Sequence, residues 1–92
     1  MNKSTYRRAV LTSAQIRAAR ALLRWSAEDL ARSSMVGLTT IRRAELTEDA
    51  TSMTAANDSS IRRALEDAGV EFIDENGGGA GVRLKKSSKK RS

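Results

Sequence analysis

The sequence predicts one small, mostly α-helical bundle of four to five short helices, with a β-hairpin appended at its C-terminal end. Three observations lead there. Apolar residues recur at helical spacing through residues 13–24, 27–46 and 54–68, and the pattern changes to short strand-like runs after Gly69. Helix-start and helix-stop signals bracket these stretches: Thr12-x-x-Gln15, Ser26-x-x-Asp29 and a terminal Gly69. The length of 92 residues is enough for one domain with one core.

Composition narrows the chemistry. The chain has no Cys, which excludes disulfides and thiolate metal sites, and no His, which removes the commonest metal ligand and general base near pH 7. No acid–base or nucleophile constellation emerges from its scattered carboxylates, so the expectation is a non-enzyme with no catalytic residues, no metal and no cofactor. Aromatic residues make up 3%, too few for base-stacking platforms on single strands. No apolar run approaches the roughly 20 residues a membrane span needs, and no signal-peptide core is visible, so a cytoplasmic location is expected, with no membrane partner. No feature points to a small-molecule ligand. The net charge of +6 favours an anionic partner. That charge is uneven. Residues 1–69 carry eleven Lys/Arg against eight Asp/Glu, whereas residues 70–92 carry six against three, with the excess after Arg83.

In chain order, residues 1–11 read as a flexible basic arm holding Lys3, Arg7 and Arg8, either a phosphate-contacting or minor-groove arm or a frayed terminus. The first helix begins at the Thr12–Gln15 capping box and runs to about Arg24, with Ile16, Ala19 and Leu23 on one face and Leu22 alongside. Arg24-Trp25 connects it to the next helix, with Trp25 partly buried as a hydrophobic staple before Ser26.

Residues 26–45, SAEDLARSSMVGLTTIRRAE, organise the rest. They read as two short helices, about Ala27–Ser33 and Leu38–Leu46, joined by a tight turn. Ala27, Leu30, Ala31, Val36, Ile41 and Ala44 can converge on one interior. Ser26 is a good N-cap that Asp29 can answer, and Gly37 can cap the second helix. Leu38, Thr39, Arg42 and Arg43 then point outward, a polar and cationic face suited to a DNA major groove. The alternative fate of Arg42 and Arg43 is a solvated helix face.

Leu30-Ala31, Val36, Thr40-Ile41 and Glu45 carry a resemblance to the helix-turn-helix of lambda-repressor-like (XRE or Cro-type) transcription regulators. The resemblance extends over about Thr12–Lys86. It implies double-stranded DNA as partner, with Leu38, Thr39 and Arg43 at base edges and Thr40 and Arg42 at phosphates. Ser26 and Ala27, at the start of the preceding helix, would also approach the phosphate backbone. It further implies that Arg20 pairs with Glu45 through a bidentate bond tying the first helix to the third; the alternative is two unrelated surface charges. Two positions depart from the pattern. Arg24 and Met35 stand where the family usually has glycine or another residue tolerant of positive φ, and a Met so held costs about 1–2 kcal/mol.

Residues 46–53, LTEDATSM, form a polar loop that supplies a fifth helix only if it makes a helical turn of its own. A helix starting at Ser52 or Thr54 then runs to Ala68 and Gly69, with Ile61, Ala64, Leu65 and Ala68 inward. Arg62 and Arg63 read as surface charges pairing with Asp58, Glu66 or Asp67, with phosphate contact as the alternative. Residues 70–85 form the hairpin: a strand at Val70–Asp74, a glycine-rich loop, and a second strand at Val82–Leu84. A phosphate-cradling role for the glycines is rejected, since no helix or Lys-Ser/Thr follows them. The segment AGVEFIDENGGGAGVRLK resembles the C-terminal end of many small bacterial regulators of the same type. Residues 86–92 belong to a disordered basic tail; from Lys85 on, five of eight residues are Lys or Arg.

The expectation is thus a bacterial, nucleoid-associated repressor that binds an inverted repeat as a homodimer. Val70, Phe72 and Ile73 are the candidate dimer contact through strand pairing. The competing expectation is a protein-interaction module of the antitoxin or antiactivator type, with the helical pair as scaffold.

Overall fold

The computed structural model describes residues 10–47, 53–75 and 77–85. Within them lie helices α1 (Ser13–Leu23), α2 (Ala27–Ser34), α3 (Leu38–Leu46) and α4 (Ala55–Asp67), then strands β1 (Val70–Ile73) and β2 (Gly81–Leu84). The chain is mostly helical, with one two-stranded antiparallel sheet. The expected basic arm, the loop that would hold a fifth helix and the C-terminal tail lie outside the described residues, apart from their edges. Among the described residues no helix is long and apolar enough to cross a membrane.

The helix starts follow local chemistry. Thr12 and Ser26 each close a full capping box, with Gln15 and Asp29 as the answering side chains. Thr54 caps α4 by accepting from the N–H of Asn57. Gly37 begins α3 without any side-chain hydrogen bond. At the other end, α4 closes on Gly69, whose φ of +114° lets the chain turn into β1.

Leu11, Ile16, Leu30, Ile41, Ile61, Leu65 and Val70 are fully buried and form one core with Ala19, Ala27, Val36, Ala44 and Ala64. Each large aliphatic residue so buried contributes about 1.5–3 kcal/mol. Every helix and β1 therefore supply at least one wall of the same interior. Leu11 corrects the expected domain boundary. It is a core residue rather than part of the arm, and its N–H donates to Asp58 on α4 at 3.1 Å. Leu22, expected alongside the inward face, is exposed at the far side of α1.

The hairpin register pairs Val70 with Leu84, Glu71 with Arg83, Phe72 with Val82 and Ile73 with Gly81. Side chains alternate across a strand. Val70, Phe72 and Val82 accordingly pack toward the helices, while Glu71 and Arg83 form an ion pair at 3.1 Å on the outer face. This corrects the proposed dimer contact: Val70 is consumed by the core, Phe72 packs against it, and of the three only Ile73 shares the outer face. Gln15 ties the sheet to α1. Its Oε1 completes the capping box while its Nε2 donates to the carbonyls of Ile73 (3.3 Å) and Gly81 (3.1 Å). In the glycine-rich loop, the Glu75 carboxylate accepts the N–H groups of Gly77 and Gly79, both at 3.1 Å, so the chain's own carboxylate fills that turn.

Arg62 approaches Glu66 as expected, but it is not a surface charge. It is buried at 5% exposure, with its guanidinium 5.1 Å from the centre of the Phe72 ring and within 4 Å of both Glu66 and Asp74. A cation so enclosed is stabilised by the ring face and the two carboxylates rather than by water. It pins α4 to β1.

Candidate functional site

Helix α3 presents Thr39, Arg42, Arg43 and Leu46 to solvent, and buries Ile41 and Ala44. The four exposed residues stand at i, i+3, i+4 and i+7, a single stripe along the outer side of the helix. Thr39 and Arg43 make no side-chain hydrogen bond or ion pair with any described residue. Leu46, at 83% exposure, extends the stripe by a full turn. It is absent from the expected contact set because its position at the helix end reads as the start of the loop; the seven-residue spacing from Thr39 is the signal that finds it.

Four hydrogen bonds from α1 fix the C-terminal end of α3. Arg20 Nε and Nη2 donate to the two carboxylate oxygens of Glu45 at 2.7 and 2.8 Å, and Nη1 donates to the Trp25 carbonyl at 2.9 Å. The resulting fork is bidentate and mostly enclosed, with side-chain exposures of 22% and 10%. The hydrogen bond to Glu45 holds the Arg20 guanidinium above its ordinary pKa, outweighing the desolvation that acts against it. Arg17 Nη1 donates to the Glu45 carbonyl at 2.6 Å, the Ser13 hydroxyl donates to the Thr47 carbonyl, and the Thr47 hydroxyl donates to the Ala44 carbonyl at 3.0 Å. These donors satisfy carbonyls that a helix end leaves unpaired. Arg17 and Ser13 carry no sequence signal for this role, because their partners lie about thirty residues away.

The connection between α2 and α3 places Met35 at φ 61° and Arg24, before α2, at φ 60°. Both are left-handed, the conformation that disfavours a Cβ. Met35 is 89% exposed, so packing does not reward its side chain. Ser34 supports the turn instead: its hydroxyl donates to the Leu30 carbonyl at 2.7 Å and accepts the Val36 N–H at 3.2 Å.

The other expected contact residues divide. Leu38 is half-buried against the core rather than standing on the outer face. Thr40 is half-buried at a shallow groove shared with Arg43, Ala44, Met53, Thr54 and Asn57. Arg42 is exposed, but its Nη2 lies 2.9 Å from the carboxylate of Glu28 on α2. Ala27 is buried, at 6% exposure, and does not stand on the surface. Ser26 is exposed, yet its N–H donates to Asp29 at 2.9 Å and its hydroxyl accepts from the Asp29 N–H at 3.0 Å. Those bonds, with the nearby charge of Arg32, hold the Asp29 carboxyl below its ordinary pKa. Glu28 and Asp29 thus already occupy the positive end of α2, where a phosphate would meet like charge.

No protein-family model matches the chain, and no curated protein matches it significantly.

Proposed function

We propose that the chain is a sequence-specific, double-stranded DNA-binding regulator of transcription, a repressor, in which α2 and α3 act as a helix-turn-helix and α3 enters the major groove. The observation that carries this reading is the α3 stripe: two guanidiniums, a hydroxyl and an exposed aliphatic side chain on one face of a helix whose C-terminal half is clamped from behind through Arg20 and Glu45. A rigid helix with an outward polar and cationic stripe suits base-edge contact, because both orientation and register are set before binding. Arg43 would donate bidentately to guanine, Thr39 and Leu46 would meet thymine methyls, and Thr40 and Arg42 would approach phosphates. One such helix reads few bases, so a homodimer on an inverted repeat is proposed, with Ile73 on the outer face of the hairpin as the candidate contact. Selection of bound sequences from a random duplex pool, followed by titration of the winner at two salt concentrations, tests the reading. An inverted repeat bound at least ~10³-fold more tightly than random duplex is expected. No enriched motif, with binding that vanishes as salt rises, would overturn it.

A protein-interaction module is the second reading. The carboxylates of Glu28 and Asp29 at the start of α2, exposed Met35 at the end of α2 and exposed Leu46 at the end of α3 favour it. A partner captured at nanomolar affinity by a chain without DNA preference would select this reading.

A further inference from the structure

Arg42 and Arg43 are adjacent on the α3 stripe but differ electrostatically. Arg43 has no ion partner among the described residues, whereas Arg42 is held at 2.9 Å by Glu28 from the first turn of α2. Both members of that pair are more than half exposed, 57% for Arg42 and 52% for Glu28. The contact is a single N···O approach, unlike the two-pronged bond of Arg20 with Glu45. Glu28 also adds an attractive charge toward Arg20, so its carboxylate faces both cations at this end of the site, with Asp29 beside it in the same turn. A pair this exposed is weak and exchangeable. Phosphate, which binds guanidinium in the same planar geometry as carboxylate, is its natural competitor.

We propose that Glu28 is a built-in brake on phosphate binding: it occupies the Arg42 guanidinium in the unbound protein and must yield it before Arg42 can contact a nucleic-acid backbone. This rests on the DNA-binding reading of α3 and adds a residue that tunes it. In the unbound state the stripe then offers phosphates one uncompensated cation rather than two. Sequence-blind binding depends almost wholly on such cations, through the counterions they displace. Removing the carboxylate therefore frees Arg42 and raises background affinity, whatever the base sequence.

The experiment measures binding of the full chain to a random duplex at several salt concentrations, for wild type, Glu28→Gln, Arg42→Ala and the double variant. Asp67→Asn serves as a control that removes one negative charge from an exposed position on α4. Glu28→Gln should bind about twofold more tightly, the most that so exposed a pair can hold back, with a salt dependence steeper by about one released ion per protomer. In the Arg42→Ala background the same change should have no effect. The brake is refuted if Glu28→Gln leaves affinity and salt slope unchanged. It is equally refuted if the gain persists without Arg42, or if Asp67→Asn matches it, because general charge repulsion then explains it. Thermal melting of each variant reports whether the fold is intact. The readout uses random duplex, so it stands apart from the selection experiment: a wild type that selects no motif ends the regulator reading, while an unresponsive Glu28→Gln ends only the brake.

Discussion

Replacing Glu45 with alanine removes both oxygens that grip Arg20 and leaves the guanidinium with the Trp25 carbonyl alone. Charge-assisted hydrogen bonds contribute about 1.5–3 kcal/mol each in net terms. Abandoning one member of a buried pair costs about 3–5 kcal/mol. Arg20 is 22% exposed and keeps one acceptor, which lowers the cost to about 2–3 kcal/mol. A domain of this size has about 5–14 kcal/mol in total, so the loss is a large share. Urea denaturation followed by circular dichroism reads it directly. With an m-value near 1 kcal/mol/M, the midpoint should fall by about 2–3 M. Glu28→Ala supplies the contrast, since it breaks a half-exposed pair and should cost at most ~0.5 kcal/mol. Replacing both partners, Arg20→Met with Glu45→Leu, should recover most of the loss, because no charge is then left stranded. If Glu45→Ala costs no more than Glu28→Ala, solvent screens the pair and it does not clamp α3.

Three further outcomes follow from the same geometry. Met35→Gly should raise stability by about 1 kcal/mol in thermal unfolding, since the residue is left-handed and its side chain packs on almost nothing. Arg43→Ala should weaken binding to the selected sequence by about 1–3 kcal/mol and relax discrimination at one base position, measured by titration against single-base variants; equal loss on random duplex would mark a phosphate contact instead. Acid should destabilise the fold through Glu71 and Asp29. The hydrogen bond and charge of Arg83 hold Glu71 below its ordinary 4.5, and the Ser26 N–H does most to hold Asp29 below 3.8. Depressed carboxyl pKa values give stability that is present above the unfolded values and lost as pH falls through the folded ones. The urea midpoint should therefore be level toward pH 5 and decline below about 4.5, with a shallower decline in Glu71→Gln. Arg20 adds nothing to this profile, because its raised pKa confers stability that is present at every lower pH and lost only in strong alkali.

The α3 clamp also separates holding a surface from using it. Arg17, Arg20 and Ser13 all reach from α1 to the end of α3, so α1 fixes the position of a stripe that it does not itself form. Substitutions in this clamp should reduce stability and binding together, whereas substitutions of Thr39 or Arg43 should leave stability nearly unchanged.

What the sequence determined by itself is what short-range chemistry decides. The starts of α1, α2 and α4 follow from Thr12, Ser26 and Thr54 as caps, and the end of α4 from Gly69 as terminator, since a cap and its partner lie within three or four residues. The inward faces of α2 and α3 were legible in Leu30, Val36, Ile41 and Ala44 because helical periodicity is local. Tertiary structure decided the rest. Leu11, Leu38, Phe72 and Val70 turn toward the core because of what packs on them, and residues two or more elements away supply that packing. Arg62 reads as a surface charge on its own helix, but β1 folds over it and brings Phe72 and Asp74 within reach. The same holds within the candidate site. Arg42 and Glu28 stand fourteen residues apart in the chain, and only the packing of α2 against α3 brings an exposed carboxylate onto one of the two cations of the stripe.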